Sequence, residues 1–181
     1  MDNFLTQNTI LRRITLDEVK LLQEICRQTF SETFSDHNTA EDLSKYLDLK
    51  FSEEKLTSEL KNSNSEFFFA VLDTRIIGYL KINTGTAQTE NWNHSALEIE
   101  RIYVLKEFYG KKVGQMLLDK ALQTAREKNI TIVWLGVWEK NFRALGFYKK
   151  NGFTVFDKHI FRLGESEQTD YMMKKILFQQ G

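Results

Sequence analysis

Residues 131–138 read TIVWLGVW and carry apolar side chains at odd and even positions alike. An extended segment of that kind has no face to show water, so it belongs at the centre of a sheet covered on both sides. The rest of the chain must therefore supply flanking strands and covering helices. Strands are expected at 8–14, 66–72 (EFFFAVL), 76–83 (IIGYLKIN), 96–104 (ALEIERIYV), about 153–162 and 170–177. Asp73-Thr74-Arg75 is a short turn between the second and third, and Gly78 inside the third is expected to mark a bulge.

Helical periodicity supplies the covering layers. Leu16, Val19, Leu22, Ile25 and Cys26 recur at helical spacing over 16–34, and Thr15 with Glu18 forms a capping-box pattern at its start. Thr39 opens a second helix to about Leu49, and Ser52 a third to about Leu60. Over 110–128, Val113, Leu117, Leu118, Ala121, Leu122 and Ala125 fall on one face. A last helix covers about 141–150 and is ended by Asn151-Gly152. The order β-α-α-α-β-β-β-α-β-α-β-β, with no repeat or linker, predicts a single α/β domain with a mixed sheet over 1–181.

No apolar run approaches the ~20 residues of a membrane helix, and MDNFLTQNTI has neither the basic nor the apolar region of a signal peptide. Cys26 is the one cysteine, so no internal disulfide is possible and a reduced cytoplasm is the expected setting. With 25 basic and 25 acidic residues, a strongly basic nucleic-acid binder is not expected, nor a membrane partner. The balance hides an asymmetry. Residues 1–100 hold 10 Lys+Arg and 17 Asp+Glu, a net of −7, so residues 101–181 carry +7. Either the basic half serves an anion and the acidic half a cation, or the two halves neutralise each other on packing.

Two motifs carry chemistry. Strand 96–104 runs through a turn, Tyr109-Gly110-Lys111-Lys112-Val113-Gly114, into a helix. Free N–H groups and the positive end of the helix dipole at such a turn, with two lysines beside them, suit a pyrophosphate. The turn is neither a Walker loop nor a dinucleotide fingerprint, and an ordinary capped turn is the bland reading. The second motif is Asn141-x-x-Ala144-x-x-Phe147-Tyr148-x-x-x-Gly152-Phe153, after the strand that ends at Trp138. Asn141 caps its helix and its amide can also meet a ligand amide. Tyr148 lies two turns on, along the same side; core packing is the bland reading for its ring.

These segments resemble the GNAT superfamily of acyl-CoA N-acyltransferases over roughly residues 9–177. Within it they are most similar to PaiA-type spermidine/spermine N-acetyltransferases, through TFSETFSDHNTAEDLSKYLDLKF, SEFFFAVLDTRIIGYLKIN and GESEQTDYMMKKIL. The family loop usually reads Gln/Arg-x-x-Gly-x-Gly/Ala. Here Tyr109 takes the first position and Lys112 the middle glycine's, with Gly114 kept and Gly110 added.

The resemblance implies a mostly antiparallel mixed sheet that splays between 96–104 and 131–138, with helices on both faces. It implies acetyl-CoA as co-substrate and no metal. Backbone of Ile102, Tyr103 and Val104 would pair with the pantetheine arm as an added strand does. Backbone of Tyr109, Gly110, Lys111, Lys112, Val113 and Gly114, with Gln115, would hold the diphosphate. Asn141 and Ala144 would flank the arm, and Lys149 or Lys150 would meet the nucleotide phosphate. Tyr148 would protonate the departing thiolate.

An alkyl amine of pKa ~10.4 is neutral in only about one molecule in two thousand at pH 7, so attack needs a base. Glu98 and Glu100 share a strand face, and Ile102 and Val104 are expected to continue it toward the cofactor. The resemblance implies that one of the two carboxylates takes the proton; without it, the pair simply lines a solvated face. Glu32, Asp36, Glu41, Asp42 and Glu90 would attract a polycation, and Trp92 and Trp138 are candidates to stack on its alkyl chain. His37, His94 and His159 show no metal spacing. The expected activity is acetyl transfer to a primary amine, a polyamine first. A protein N-terminus, a lysine or an antibiotic amine is the second acceptor class, and a non-catalytic acyl-CoA-binding module the third reading. The partner is a small-molecule amine, and the assembly a monomer or homodimer.

Overall fold

The computed structural model describes residues 8–90, 93–163 and 166–177. Its strands are β1 (Thr9–Arg13), β2 (Ser65–Leu72), β3 (Arg75–Thr84), β4 (Leu97–Val104), β5 (Ile132–Trp138), β6 (Thr154–Leu163) and β7 (Ser166–Ile176). They form one sheet in the order β1-β2-β3-β4-β5-β7-β6. Every neighbouring pair is antiparallel except β4 with β5. The helices are α1 (Val19–Phe34), α2 (Ala40–Lys50), α3 (Glu53–Lys61), α4 (Val113–Glu127) and α5 (Phe142–Lys150). The central apolar strand is β5, with Val133, Trp134 and Leu135 buried, as its two-sided pattern requires.

Capping chemistry accounts for where the helices start. Thr39 Oγ1 accepts the Asp42 N–H at 3.1 Å, Ser52 Oγ accepts from Lys55 at 3.2 Å, and Asn141 Oδ1 accepts from Ala144 at 3.1 Å. The Thr15–Glu18 capping box is present, with Glu18 also clamped by Arg12, but it opens a short 3-10 turn from which α1 continues. One boundary differs more: α4 begins at Val113, where its apolar stripe starts, and not at residue 110 as expected. Gly110 (φ 76°) and Lys112 (φ 63°) are left-handed, so the backbone cannot be helical there.

Register decides which side chains share a face. Phe67, Phe69, Tyr79 and Tyr103 point to the side covered by α1 and α3; Phe68, Leu80 and Ile102 point to the side covered by α4. Phe67, Phe69, Tyr79, Leu22 and Leu56 are almost wholly buried, each apolar side chain worth about 1.5–3 kcal/mol relative to exposure. The irregularity near Gly78 is a bulge opposite Ala70/Val71. Gly78 itself serves a close approach, because a Cβ there would sit 2.7 Å from the Tyr103 carbonyl oxygen of β4.

The site is opened by a mismatch of allegiance. β4 pairs with β5 only at Leu97↔Val133 and Glu98↔Trp134. Beyond them β4 stays with β3 as far as Val104, while β5 follows β7 as far as Trp138↔Asp170. The two parallel strands therefore diverge into a wedge with unpaired inner edges.

Candidate active site

A cavity of about 740 Å³ fills the wedge, between β4 on one side and β5 with α5 on the other. Ile102, Tyr103, Asn141, Ala144 and Tyr148 line it together, so the two sequence motifs meet at one place. A second cavity of about 290 Å³ shares Trp138 and Asn141 and reaches Tyr109 and Arg143. The β4 edge from Ile102 to Val104 has no partner strand in the wedge, which leaves its backbone groups to pair with an extended ligand.

At the head of α4 the first helical bond is Met116 N–H to Lys112 O. The N–H groups of Gly110, Lys112, Val113, Gly114 and Gln115 make no hydrogen bond to described residues, and Cβ atoms built at Gly110 and Gly114 would meet nothing within 4 Å. Open space above unpaired donors at a helix N-terminus fits a diphosphate. Lys112, at the position of the family loop's middle glycine, is left-handed, a conformation that glycine adopts without strain. The departure at Tyr109 has a counterpart. The Arg143 guanidinium stacks 3.4 Å above the Tyr109 ring and brings a cation back beside the loop.

Two expected contributors differ. The Gln115 side chain donates to Asp119 Oδ1 and Asn151 Oδ1, both at 2.9 Å, so its backbone N–H is what remains for a ligand. Lys149 and Lys150 are exposed at the end of α5 and line neither cavity. The Gln115–Asn151 bond does hold that helix end against the first turn of α4.

Tyr148 is 5% exposed, packed by ring against Phe147 and Phe153, and borders the cavity. Burial raises its hydroxyl above the ordinary tyrosine value, with Arg143 opposing, so it stays protonated at neutral pH.

The acidic pair lies in a buried network. Asn83 Nδ2 donates to Glu98 Oε2 at 3.0 Å and to Glu100 Oε2 at 2.6 Å. Lys81 pairs with Glu100 at 2.5 Å and Glu59 at 3.0 Å, and Arg101 pairs with Glu59 at 2.8 Å and Glu100 at 2.9 Å. Burial alone would raise Glu100, but Arg101 and Lys81 outweigh it and hold the carboxyl at about 2. Glu98 is raised, chiefly by burial and then by Glu100, against hydrogen bonds from Thr89 and Asn83.

The expectation that Ile102 and Val104 continue the glutamate face is overturned. Lys81 opposes Arg101 while Ile82 opposes Ile99, so Glu100 is an extra residue in a bulge. The bulge reverses the alternation. Arg101 and Tyr103 follow the glutamates into the cavity, and Ile102 and Val104 turn their side chains to the α4 side.

Of the acidic residues offered for a polycation, only Glu90 lines the large cavity, paired with His159 at 2.9 Å. Glu32 accepts the Lys106 N–H at 2.8 Å on the other cavity's side, Glu41 pairs with Lys45, and Asp42 sits at the α2 cap. Trp138 is buried against Phe34 and His37, and Trp92 lies outside the described residues. Asp170, unremarked in the sequence, is in the cavity wall. Burial, with Glu139 adding and His159 opposing, pushes its carboxyl up to about 6. Among the described residues no group of three His, Cys, Asp or Glu side chains is placed to hold a metal ion, and no helix is long and apolar enough to cross a membrane.

The fold and this wedge define an acetyltransferase of the GNAT class, and the chain belongs to that family: the acetyltransferase (GNAT) family profile matches residues 20–153. It is 41% identical over 153 residues to the uncharacterized N-acetyltransferase in the pepI 3′ region of Lactobacillus delbrueckii subsp. lactis, covering 84% of this chain and 88% of that one. It is 27% identical over 169 residues to the spermidine N(1)-acetyltransferase of Thermoplasma acidophilum, covering 91% and 95%. The crystal structure of the PaiA N-acetyltransferase of Thermoplasma acidophilum in complex with coenzyme A matches with a TM-score of 0.78 at 26% identity, covering 93% and 98%. Streptothricin acetyltransferase A of Bacillus subtilis is 34% identical over 98 residues, covering 54% of this chain and 53% of that one.

Proposed function

We propose that the protein transfers the acetyl group of acetyl-CoA to a primary amine, with a linear polyamine as the acceptor. The observation that carries this reading is the divergence of β4 from β5 after Glu98↔Trp134, which opens one cavity onto an unpaired strand edge, Asn141 and Tyr148 together. The pantetheine arm pairs with backbone of Ile102 to Val104, with Asn141 and Ala144 opposite. The diphosphate rests on the N–H groups of Gly110, Lys112, Val113, Gly114 and Gln115, with Lys111, Lys112 and Arg143 as cations around it. Tyr148 gives its hydroxyl proton to the leaving thiolate.

Amine deprotonation belongs to a carboxylate of the cavity. Glu100 is unsuited, because two ion pairs and a carboxyl at about 2 leave it little basicity. A polyamine acceptor is supported by the spermidine N(1)-acetyltransferase relative and by the cavity lining, which includes both aromatic residues (Phe30, Tyr46, Tyr103) and carboxylates (Glu90, Glu98, Asp170). Aromatic faces suit the alkyl segments of such a cation and carboxylates its ammonium groups. The streptothricin acetyltransferase relative supports the other acceptor class, an antibiotic amine. A reduced cytoplasm fits the single cysteine, Cys26, which is buried and free.

The test is thiol release from acetyl-CoA against spermidine, spermine, putrescine, a lysine peptide and an aminoglycoside. Turnover with the linear polyamines is the expected result. Turnover with the aminoglycoside alone would move the assignment to antibiotic amines. Stoichiometric CoA binding with no transfer to any amine would identify a binding module.

A further inference from the structure

Five carboxylates line the large cavity: Glu59, Glu90, Glu98, Glu100 and Asp170. Four have protein partners. Glu59 and Glu100 are consumed by Lys81 and Arg101, and Glu90 by His159. Glu98 is 2% exposed; one oxygen accepts from Thr89 N–H at 2.8 Å and Asn83 at 3.0 Å, and the other from the Thr89 hydroxyl. The Asp170 carboxylate alone accepts no hydrogen bond and forms no ion pair with any described residue.

Its position is equally specific. Asp170 stands opposite Trp138 on β5 and opposite His159 on β6, level with the mouth of the wedge. Gly136 is the next residue of β5 on that face, and a Cβ built there would lie 3.8 Å from Asp170 Oδ2. A larger side chain at 136 would occupy the space over which the carboxylate leans into the cavity. The titratable groups facing it are His159 on β6, Glu139 beyond β5, Tyr103 on β4 and Tyr46 on α2.

We infer that Asp170 is the residue that receives the proton of the attacking ammonium, in place of either glutamate of β4. The inference rests on the acetyl-transfer reading above. The ammonium N–H passes its proton to an Asp170 oxygen, leaving a neutral amine and a carboxylic acid. The nitrogen lone pair attacks the thioester carbonyl carbon, so a C–N bond forms as the C–S bond breaks. Tyr148 protonates the sulfur and recovers a proton from the nitrogen, and Asp170 returns its own to solvent. A carboxyl pushed up to about 6 is still anionic at neutral pH, and is a better base than one at about 2.

The experiment measures kcat/KM for the amine from pH 5 to 9 in the wild type, Asp170→Asn and Glu98→Gln, with CoA affinity by calorimetry as the control for folding. The wild type should be flat above neutrality and fall tenfold per unit below about pH 6. Asp170→Asn should lie about 10²-fold lower at pH 7. It should also rise tenfold per unit across the range, since it must wait for free amine. Asp170→Glu should restore part of the plateau. CoA affinity should be unchanged throughout. A wild-type rate and plateau in Asp170→Asn, or loss of the plateau in Glu98→Gln instead, overturns the assignment and leaves acetyl transfer standing. No transfer by the wild type to any amine overturns both.

Discussion

Tyr148 is oriented by packing: Phe147 and Phe153 grip its ring, and its hydroxyl makes no hydrogen bond to any described residue. A tyrosine fixed in this way, protonated because burial raises it, has a donor to give and no acceptor among the described residues. Removing only the oxygen leaves the packing intact. Tyr148→Phe should therefore lower kcat by about 10²-fold and change CoA affinity by less than about twofold, the separation expected of a group that acts in the transition state. Steady-state kinetics with calorimetry reads both, and an unchanged kcat would remove the acid role. Glu100 is the opposite case, since it is surrounded by Lys81, Arg101 and Asn83 and has no capacity left for a substrate proton.

Elements were legible wherever a local rule controls the outcome. Thr39, Ser52 and Asn141 start helices because their side chains accept N–H groups three residues on, and β5 is central because it has no polar face. The bulge at Glu100 was not legible. Strand period 2 puts Glu98, Glu100, Ile102 and Val104 on one face, and only the pairing of β4 with β3 inserts the residue that turns Arg101 and Tyr103 inward. Asp170 was hidden for a similar reason, since its role depends on β7 lying beside β5. Lys81 inside an apolar strand and Arg101 beside Glu100 were the visible signs of a buried ionic network. The α4 head carries its sequence departure at a left-handed residue. Lys112 at φ 63° holds a conformation that costs an L-residue about 1–2 kcal/mol, partly offset by glycine's greater chain entropy. Lys112→Gly should raise stability by about 0.5–1 kcal/mol, a Tm gain of roughly 1–4 °C, whereas Lys112→Ala should give none. A scan showing equal Tm for all three would refute the strain.

Charge at the scale of the whole molecule divides between the two readings of the −7 and +7 halves. Part of the asymmetry is neutralised across them, through Glu59 with Arg101 and Glu66 with Lys128. The cavities do not sort by half either: Arg143 of the basic half lines the smaller one, while Glu90 and Glu98 of the acidic half line the larger one beside Asp170 of the basic half. The buried cross-links make acid stability a property of the fold. Glu100 is held at about 2 against an ordinary value of 4.5, and Glu18, clamped chiefly by Arg12, is also held at about 2. A carboxylate depressed in the folded state contributes stability that is complete above its unfolded pKa and lost as pH falls through the folded one. The urea midpoint should thus rise somewhat as pH falls from 7 to about 5, where Asp170 takes up its proton in the folded state, then decline between about 4.5 and 2, where Glu100 and Glu18 lose their charge. Glu100→Gln leaves Lys81 and Arg101 with Glu59 alone, so it should cost about 3 kcal/mol at pH 7. Its own midpoint should decline less steeply in acid, because one of the titrating carboxylates is gone. An equally steep acid decline in the wild type and in Glu100→Gln would show that the network does not hold β3, β4 and α3 together electrostatically, and would return its residues to packing alone.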